Sequence, residues 1–421
     1  MNSQIFTLLF IALLLASLSF KLWLSSRHIR HILQHRAAVP AEFAEKISLQ
    51  AHQKAADYTI SKSKFGIVSL FFNALILLAF TLFGGLNWLV HSLQASMGDG
   101  LLMQLALVTC FSLISGVIDL PFSYYSQFRL EEKFGFNKMT PKLFWTDTLK
   151  TSLISAAIGL PVLALVLWLM AKMGELWWLY VWLVWTGFQV LMMMIYPTWI
   201  APLFNKFSPL EDQSLKQKIE GLMQRVGFAS KGLFVMDGSK RSAHGNAYFS
   251  GFGANKRIVF FDTLLARLQP DEMEAVLAHE LGHFKLNHIK KRIALMFVLS
   301  LGFLALLGYL KQQVWFYTGL GVNPVGLAQT DALALLLFML VMPVFSFAFT
   351  PLFSLSSRKH EFEADAFAAK HTKAQDLINA LVKLYEDNAS TLTPDPLHSA
   401  IYDSHPPASI RIRHLLQTST N

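Results

Sequence analysis

The sequence predicts a mainly α-helical, polytopic membrane protein with about seven transmembrane helices and a small α+β domain on the cytoplasmic side. Two observations lead to this fold class. Of the 421 residues, 53% are hydrophobic and only 15% are charged, whereas a soluble domain carries about 25% charged residues. The apolar residues are also gathered into long runs, and basic residues concentrate in alternate loops between those runs. Both patterns are typical of a chain that crosses a bilayer several times.

Seven apolar runs are long enough to cross a bilayer as a helix, which needs about 20 residues. The first run has no basic segment before it and no clear small-residue cleavage site, so we expect a retained membrane anchor and not a signal peptide. The predicted spans are residues 5–24, 66–90, 101–125, 151–171, 176–200, 293–310 and 331–355.

The loops between the runs alternate in their content of basic residues. Residues 25–65 and 126–142 are rich in Lys and Arg, whereas the loop at 91–100 contains neither. The positive-inside rule then places the N-terminus outside and the C-terminus in the cytoplasm. We therefore expect a membrane region at 1–200, a cytoplasmic region at 201–292, two further spans within 293–355 and a second cytoplasmic region at 356–421.

The overall charge and the cysteine content exclude several classes of protein. The formal net charge is +9, but the basic residues lie in loops beside apolar runs and form no stripe interleaved with aromatic residues. We therefore expect no nucleic-acid binding. The single cysteine, Cys110, lies within an apolar run and excludes both a disulfide framework and every multi-cysteine metal site.

The first cytoplasmic region has the patterns of a small α+β unit. Apolar residues at helical spacing over 210–228 predict a helix, and 231–239 predicts a short strand. Residues 245–265 predict a hairpin with its turn at 253–256. A further helix is predicted to start near Pro270, because acidic residues follow this proline and complement the helix dipole.

The segment HELGH at 279–283 carries the strongest chemical signal. His279 and His283 are four residues apart, so on a helix they share one face and can hold Zn²⁺ through two imidazole nitrogens. Glu280 lies beside them and can take a proton from water as a general base. Gly282 has no side chain and would let another element approach the helix closely. The alternative is that this short motif occurs by chance.

A zinc ion needs a third protein ligand, and two candidates can be compared. His288 lies five residues after His283, about 140° round a continuous helix, so we expect it to meet solvent or lipid headgroups. In SSRKHEFEADAFAAKH, Glu361 and Asp365 share one face of a later helix while Glu363 points away. We predict Glu361 as the third ligand and Asp365 as the carboxylate that orients a zinc-bound imidazole or helps to transfer protons. The alternative for this acidic pair is a solvated helix face.

Together these motifs resemble the M48 family of integral membrane zinc metallopeptidases, which includes the Ste24 and CAAX prenyl proteases. The shared features are HELGH, the pattern S-R-x-x-E-x-x-A-D at 357–365, the segment at 237–265 and SHPPASIRI at 404–412. The resemblance implies seven spans that enclose a water-containing chamber, and one Zn²⁺ per chain. The zinc ligands that it implies are His279, His283 and Glu361, with Glu280 as the catalytic base and Asp365 as the second acidic residue.

Two further motifs have an interpretation in substrate binding and catalysis. NAYFSGF is expected to form an edge strand that binds an extended peptide through backbone hydrogen bonds, with Asn246 and Tyr248 flanking the scissile bond. The alternative is a strand that only completes a sheet. In the second motif, we expect His405 to donate to the oxyanion as the tetrahedral intermediate forms. Arg411 is expected to hold a substrate carbonyl or carboxylate.

The resemblance implies an integral membrane zinc endopeptidase that hydrolyses peptide bonds of membrane-associated or lipidated proteins, with CAAX-type C-terminal processing. The expected partners are the lipid bilayer and a peptide or protein substrate at the membrane, with or without a prenyl group. We expect a multi-pass protein of a bacterial inner membrane, with the ER membrane as the alternative, and an active site that faces the cytoplasm.

Other functions predict different sequence features. Quality control of membrane proteins would use the same peptidase site. A transporter would need polar residues at the midplane of several spans, but the predicted spans are nearly uncharged. A non-catalytic scaffold would be expected to lose Glu280 or a metal ligand, and none is missing.

Overall fold

The computed structural model describes residues 1–230, 232–250 and 256–419. Within these residues seven helices are long and apolar enough to cross a membrane, which confirms the predicted mainly α-helical, polytopic fold. These candidate spans are Ser3–His35, Leu49–Phe80, Leu101–Glu131, Pro141–Lys172, Gly174–Leu203, His288–Leu310 and Asp331–His371.

The first half of the chain is largely helical, and the strands begin at Phe207. The α-helices of the first half are α1 (Ser3–His35), α2 (Leu49–Phe80), α3 (Gly85–Met97), α4 (Leu101–Tyr125), α5 (Pro141–Lys172) and α6 (Trp177–Ile195). The small sheet and the α-helix between its first two strands are β1 (Phe207–Pro209), α7 (Gln213–Arg225), β2 (Leu233–Met236), β3 (Ala247–Ser250) and β4 (Arg257–Phe261). The remaining helices are α8 (Asp262–Leu265), α9 (Pro270–Lys285), α10 (His288–Leu310), α11 (Val314–Thr318), α12 (Asp331–Ser346), α13 (Thr350–His371), α14 (Ala374–Asp387), α15 (Pro396–Tyr402) and α16 (Ala408–Ser419).

The spans expose large apolar side chains on their outer faces. In the most apolar part of Leu49–Phe80, only 6% of the residues are buried within the protein. On α4, Leu102 and Val117 are 74% and 65% exposed. Helices this apolar and this little buried need lipid around them, because the outward side chains find no protein partners.

The helices extend beyond the apolar runs, and the second span is displaced from its predicted position. The prediction places this span at 66–90, but α2 ends at Phe80 and a turn separates it from α3. Gly84 in this turn has a φ of +79°, which glycine adopts without a steric penalty. Because the turn is as apolar as the helices beside it, hydropathy alone does not locate it.

The four strands form one small sheet in the order β1-β2-β4-β3. The central strands β2 and β4 are parallel, while β3 and β4 form an antiparallel hairpin in which Ala247 pairs with Phe260 and Phe249 pairs with Ile258. The predicted hairpin and the predicted edge position of β3 are therefore confirmed. The predicted turn at 253–256 falls largely in residues 251–255, outside the described residues.

Helix α9 packs against α13 beside this sheet. It starts at Pro270, as predicted, and Gln269 and Glu272 form a reciprocal capping box at its N-terminus. Around the helix pair lies a hydrophobic core that also includes α7, β4, α14 and α16. The fully buried side chains of this core include Ile219, Leu222, Phe260, Leu281 and Leu415.

Helix α13 continues almost directly from the last membrane span. Only the single 3₁₀ turn Phe347–Phe349 separates it from α12. The prediction ends the seventh span at residue 355 and places the acidic pair after it, but α13 already begins at Thr350 and runs on to His371. The last span therefore continues as helix α13 towards α9, and α13 places Glu361 beside the two histidines.

Candidate active site

Three side chains from α9 and α13 bring their ligand atoms to one point. Nε2 of His283 lies 3.3 Å from Nε2 of His279 and 3.3 Å from Oε1 of Glu361. Nε2 of His279 lies 3.4 Å from Oε2 of Glu361. Ligands arranged tetrahedrally at about 2.05 Å from an ion lie about 3.3 Å from one another. The spacing therefore fits one metal ion bound by these three residues.

The burial of Glu361 supports the same conclusion. The residue is 3% exposed, and within the described residues its buried Oε2 accepts no hydrogen bond. Its nearest polar neighbours are Nε2 of His279 at 3.4 Å and Nη1 of Arg411 at 3.7 Å, and neither forms a good hydrogen bond with it. A buried carboxylate oxygen without a partner is costly, and a metal ion would satisfy it.

The close packing of α9 and α13 depends on Gly282. A Cβ atom on this residue would lie 3.1 Å from Cα of Ala364 and 3.1 Å from Cβ of Phe367. These distances are tighter than ordinary van der Waals contact, so the absent side chain lets the two helices meet. This is the close approach that the sequence predicts for Gly282, and it brings Glu361 within reach of both histidines.

Asp365 lies behind His279, on the side away from the ligand cluster. Its Oδ1 accepts a hydrogen bond from Nδ1 of His279 at 2.8 Å, which leaves Nε2 as the metal-facing nitrogen. Arg411 pairs with the same carboxylate through Nε at 2.8 Å and Nη2 at 2.5 Å. Asp365 is fully buried and Arg411 is 6% exposed. The guanidinium is therefore committed to Asp365 and does not project into an open cleft.

Two opposing effects set the pKa values of this buried cluster. Burial and the charge of Arg411 each lower the pKa of His279, but the hydrogen-bonded carboxylate of Asp365 and the nearby carboxylate of Glu361 outweigh them and raise it to about 9. Burial also lowers the pKa of Arg411, but the charge and hydrogen bonds of Asp365 raise it above its ordinary value. In the metal-free protein, His279 is thus protonated at pH 7.

Glu280 and His405, the two residues predicted to act on the substrate's reacting groups, are not buried. Glu280 follows His279 on α9 and is partly exposed. His405 lies in the loop between α15 and α16, with its side chain 63% exposed, and its Nε2 lies 3.3 Å from Oε1 of Glu361. Its Nδ1 is hydrogen-bonded to Oγ of Ser404 at 2.9 Å. A partly exposed carboxylate and an exposed imidazole therefore accompany the three buried or half-buried ligands.

The predicted substrate strand lies beside the metal-binding helix. The ring of Phe249 on β3 lies 5.0 Å from that of Phe284, the residue after His283. Asn246, directly before β3, is exposed, while Tyr248 is half-buried and its hydroxyl approaches the sulfur of Met236 at 3.9 Å. Because β3 is the last strand in the sheet order, one of its edges is not paired with any described strand.

His288 does not face solvent or headgroups as the sequence suggests. It is 3% exposed, and its Nδ1 lies 3.1 Å from Nδ1 of His283. The prediction assumed one continuous helix, but α9 ends and Asn287 adopts a φ of +58° before α10 begins. That left-handed residue turns the chain and returns His288 to the ligand cluster. An asparagine between two helical patterns was the available signal for such a break.

The arrangement has the parts that hydrolysis of a peptide bond needs. Two imidazoles and one carboxylate can hold an ion with a free coordination position, a neighbouring carboxylate can move a proton, and an imidazole can donate to a developing oxyanion. The residues come from three separate segments, 279–283, 361–365 and 405–411, which the fold brings together.

Comparison with known proteins identifies this arrangement. The model of peptidase family M48 matches residues 209–419, which contain the whole ligand cluster. The chain belongs to peptidase family M48. A second model, described as the CAAX prenyl protease N-terminal region with five membrane helices, matches residues 28–206. The protein is therefore a membrane metallopeptidase, as the resemblance of its motifs implied.

Relatives in this family match nearly the full chain. CAAX prenyl protease 1 of Saccharomyces cerevisiae is 36% identical over 425 residues, covering 95% of this chain and 93% of the relative. The CAAX prenyl protease 1 homolog of Arabidopsis thaliana is 39% identical over 386 residues, 89% of each chain. The crystal structure of S. mikatae Ste24p superposes with a TM-score of 0.90 at 37% identity and covers 97% of this chain and 98% of its own.

Proposed function

We propose that this protein is a zinc endopeptidase that cleaves CAAX-type C-termini of prenylated proteins at the membrane. The observation that carries the peptidase site is the convergence of His279, His283 and Glu361, with 3.3–3.4 Å between their ligand atoms. The substrate class is inferred from the relatives, which are CAAX prenyl proteases aligned over nearly the full chain.

Zinc is the metal that suits this donor set. Two imidazoles and one carboxylate, with a fourth position left open, are typical of catalytic zinc sites in peptidases. The separations among the ligand atoms agree with zinc bonds of about 2.0–2.1 Å. We propose one Zn²⁺ per chain.

Glu280 and His405 are proposed to act directly on the reacting groups. Zinc bound at the three ligands would supply a Lewis acid that activates water and polarises the scissile carbonyl. Glu280 accepts the proton of the attacking water and returns it to the leaving amine. His405 donates a hydrogen bond to the carbonyl oxygen as negative charge develops on it. The exposed side chain of His405, 3.3 Å from Glu361, supports this role.

Asp365 and Arg411 are proposed to act behind the metal. Asp365 keeps the proton of His279 on Nδ1 and orients the ring, and Arg411 holds Asp365 through two hydrogen bonds. The sequence suggested a substrate contact for Arg411, but its burial and its pairing favour this supporting role.

The edge strand β3 is proposed to bind the substrate backbone. An extended peptide would add to the sheet beside β3, with Asn246 and Tyr248 near the scissile bond. The packing of Phe249 against Phe284 supports this position, because it holds β3 next to the helix that carries His283.

The orientation and compartment also belong to this proposal. The alternating loop charges support an active site that faces the cytoplasm. We propose a bacterial inner membrane, with the ER membrane as the alternative. Labelling of single cysteines placed in the 91–100 loop and in α16 from each side of sealed vesicles tests the orientation, since the two sites should react from opposite sides.

Substitution of Glu280 by Gln tests the proposed reaction. The purified variant should bind one zinc per chain but cleave a farnesylated CAAX peptide about 100- to 10,000-fold more slowly than the wild type, because the general base is lost. Glu274→Gln is the matched control, since Glu274 lies on the same helix and pairs with Arg225. Full activity of Glu280→Gln would refute the mechanism, whereas equal cleavage of the peptide without its prenyl group would refute only the substrate class.

A further inference from the structure

The second metal-binding histidine, His283, is backed by another imidazole and not by a carboxylate. Nδ1 of His283 lies 3.1 Å from Nδ1 of His288. On the far side of that ring, Nε2 of His288 lies 2.8 Å from Oε2 of Glu363. His288 is 3% exposed, whereas the Glu363 side chain is 38% exposed. The three residues form one hydrogen-bonded row that leads from the ligand cluster to the protein surface.

The proton positions in this row follow from its geometry once a metal is bound. Nε2 of His283 points at the ligand cluster, so it must offer its lone pair, and the neutral ring keeps its proton on Nδ1. Nδ1 of His288 must then accept that hydrogen bond, because two N–H groups at 3.1 Å would repel each other. The proton of His288 therefore lies on Nε2, which donates to Glu363.

We propose that His288 and Glu363 are positioning residues that fix the tautomer and the ring orientation of His283. The proposal rests on the metal site of the proposed function. Asp365 performs the same task for His279 by direct contact at 2.8 Å. Each metal-binding imidazole is thus backed by a carboxylate of α13, one directly and one through an intervening imidazole. Hydrogen-bond acceptors behind a ligand of this kind raise its basicity and hold it for the metal.

A break between α9 and α10 and the position of Glu363 on α13 make this row possible. Asn287, with a φ of +58°, ends α9 and makes His288 the first residue of α10. Glu363 is two residues after Glu361, so on α13 it points to a different side of the helix and reaches α10. A continuous α9 would instead carry residue 288 about 140° away from His283, and the row would not form.

A second metal ion at His288, His360 and Glu363 fits the structure less well. The ligand atoms of these residues lie within 4.8 Å of one another. However, the rings of His288 and His360 stack face to face, with centroids 4.0 Å apart and planes 12° apart. A metal lies in the plane of an imidazole along its lone pair, and two stacked parallel rings do not direct their lone pairs to a common point. Nε2 of His288 is also committed to Glu363.

Two amide substitutions of His288 test the proposal against a simple packing role. The amide oxygen of Asn can occupy the position of Nδ1 and accept from His283, whereas the amide of Gln extends to the position of Nε2 and reaches only Glu363. We expect His288→Gln to lower zinc affinity about 10- to 100-fold. His288→Asn should lose less affinity than His288→Gln, since it keeps the acceptor behind His283 and gives up only the link to Glu363. The measurement is chelator competition on the full-length protein, with the visible absorption spectrum of the Co²⁺ form as a second readout.

The opposite order of the two variants would overturn the proposal. If His288 only fills space, Asn leaves the larger void and should be the more damaging change. Unchanged affinity and an unchanged Co²⁺ spectrum in His288→Gln would also overturn it. His360→Asn is the control, because His360 stacks on His288 without belonging to the row. Two zinc ions in the wild type, one of them lost in His360→Asn, would replace the row with a second metal site. A wild type without stoichiometric zinc would instead refute the proposed function.

Discussion

Oδ1 of Asp365 lies 2.8 Å from Nδ1 of His279, and Arg411 donates hydrogen bonds to both oxygens of the same carboxylate. The three groups are almost fully buried. A carboxylate in this position holds the imidazole with Nε2 towards the metal, while the guanidinium offsets the cost of burying the negative charge. The C-terminal helix α16, which carries Arg411, is thereby tied to the metal site although it contributes no ligand.

Substitution of Asp365 by Asn should damage both metal binding and stability. Loss of the carboxylate behind His279 is expected to lower zinc affinity about 10- to 100-fold. It also leaves the buried charge of Arg411 without its hydrogen-bonded carboxylate, which costs up to about 3–5 kcal/mol. Zinc retention during dialysis and the thermal midpoint in detergent measure the two effects.

A double variant separates these effects. In Asp365→Asn combined with Arg411→Met, no unpaired charge remains, so most of the lost stability should return while zinc affinity stays low. Recovery of both properties together would show that Asp365 serves only to balance Arg411.

Replacement of Gly282 by Ala should separate α9 from α13. The added methyl group would lie 3.1 Å from Cα of Ala364, which is main chain and cannot rotate away. Overpacking of this kind costs about 1–3 kcal/mol, and a shift of a few tenths of an ångström should widen the ligand cluster and weaken zinc binding. Gly302→Ala on α10 is the control, because nothing lies within 4 Å of its added methyl group. Equal zinc affinity in the two variants would contradict the importance of this approach.

The affinity for zinc should rise with pH between 7 and 9. Metal-free His279 has a pKa of about 9, so below that pH a proton occupies the site and zinc must displace it. The apparent affinity should increase about tenfold per pH unit from this proton alone and level off above pH 9. Competition titrations with a pH-independent reference chelator measure the slope. A flat profile from pH 7 to 9 would show that His279 is already neutral in the metal-free protein.

Methylation of backbone nitrogens in the substrate should reveal binding to β3. An edge strand bonds to every second residue of an added strand, since successive N–H groups point in opposite directions. Each methyl group on a bonded nitrogen should lower kcat/KM by about 2- to 10-fold, with little effect at the alternate positions. A set of peptides methylated at one position each provides its own controls. If the losses in kcat/KM do not alternate between successive methylated positions, β3 only completes the sheet and does not bind the substrate.

Patterns of composition and spacing predicted the number of spans, the hairpin and the start of α9 at Pro270. Such patterns predict these features because each feature depends on residues that are close together in sequence. The turn between α2 and α3 escaped prediction, since its residues are as apolar as the helices around it. The continuation of α13 beyond residue 355 also escaped prediction, because the apolar run ends there although the helix does not.

In the site, too, the features that depend on neighbouring residues were predicted, and those that depend on residues far apart in sequence were not. The shared face of His279 and His283 follows from helical spacing, and so does that of Glu361 and Asp365. The burial of His288 could not follow from spacing, because it depends on the left-handed residue at Asn287. The pairing of Arg411 with Asp365 joins residues 46 positions apart, and no pattern near either residue indicates that the guanidinium is directed inwards.

X-ray absorption at the zinc edge of the purified protein tests the central claim most directly. Convergence of His279, His283 and Glu361 predicts one zinc per chain, with two imidazoles and oxygen donors at about 2.0–2.1 Å, and loss of the bound zinc in Glu361→Ala. Substoichiometric zinc in the wild type, or an ion without two imidazole ligands, would contradict the account.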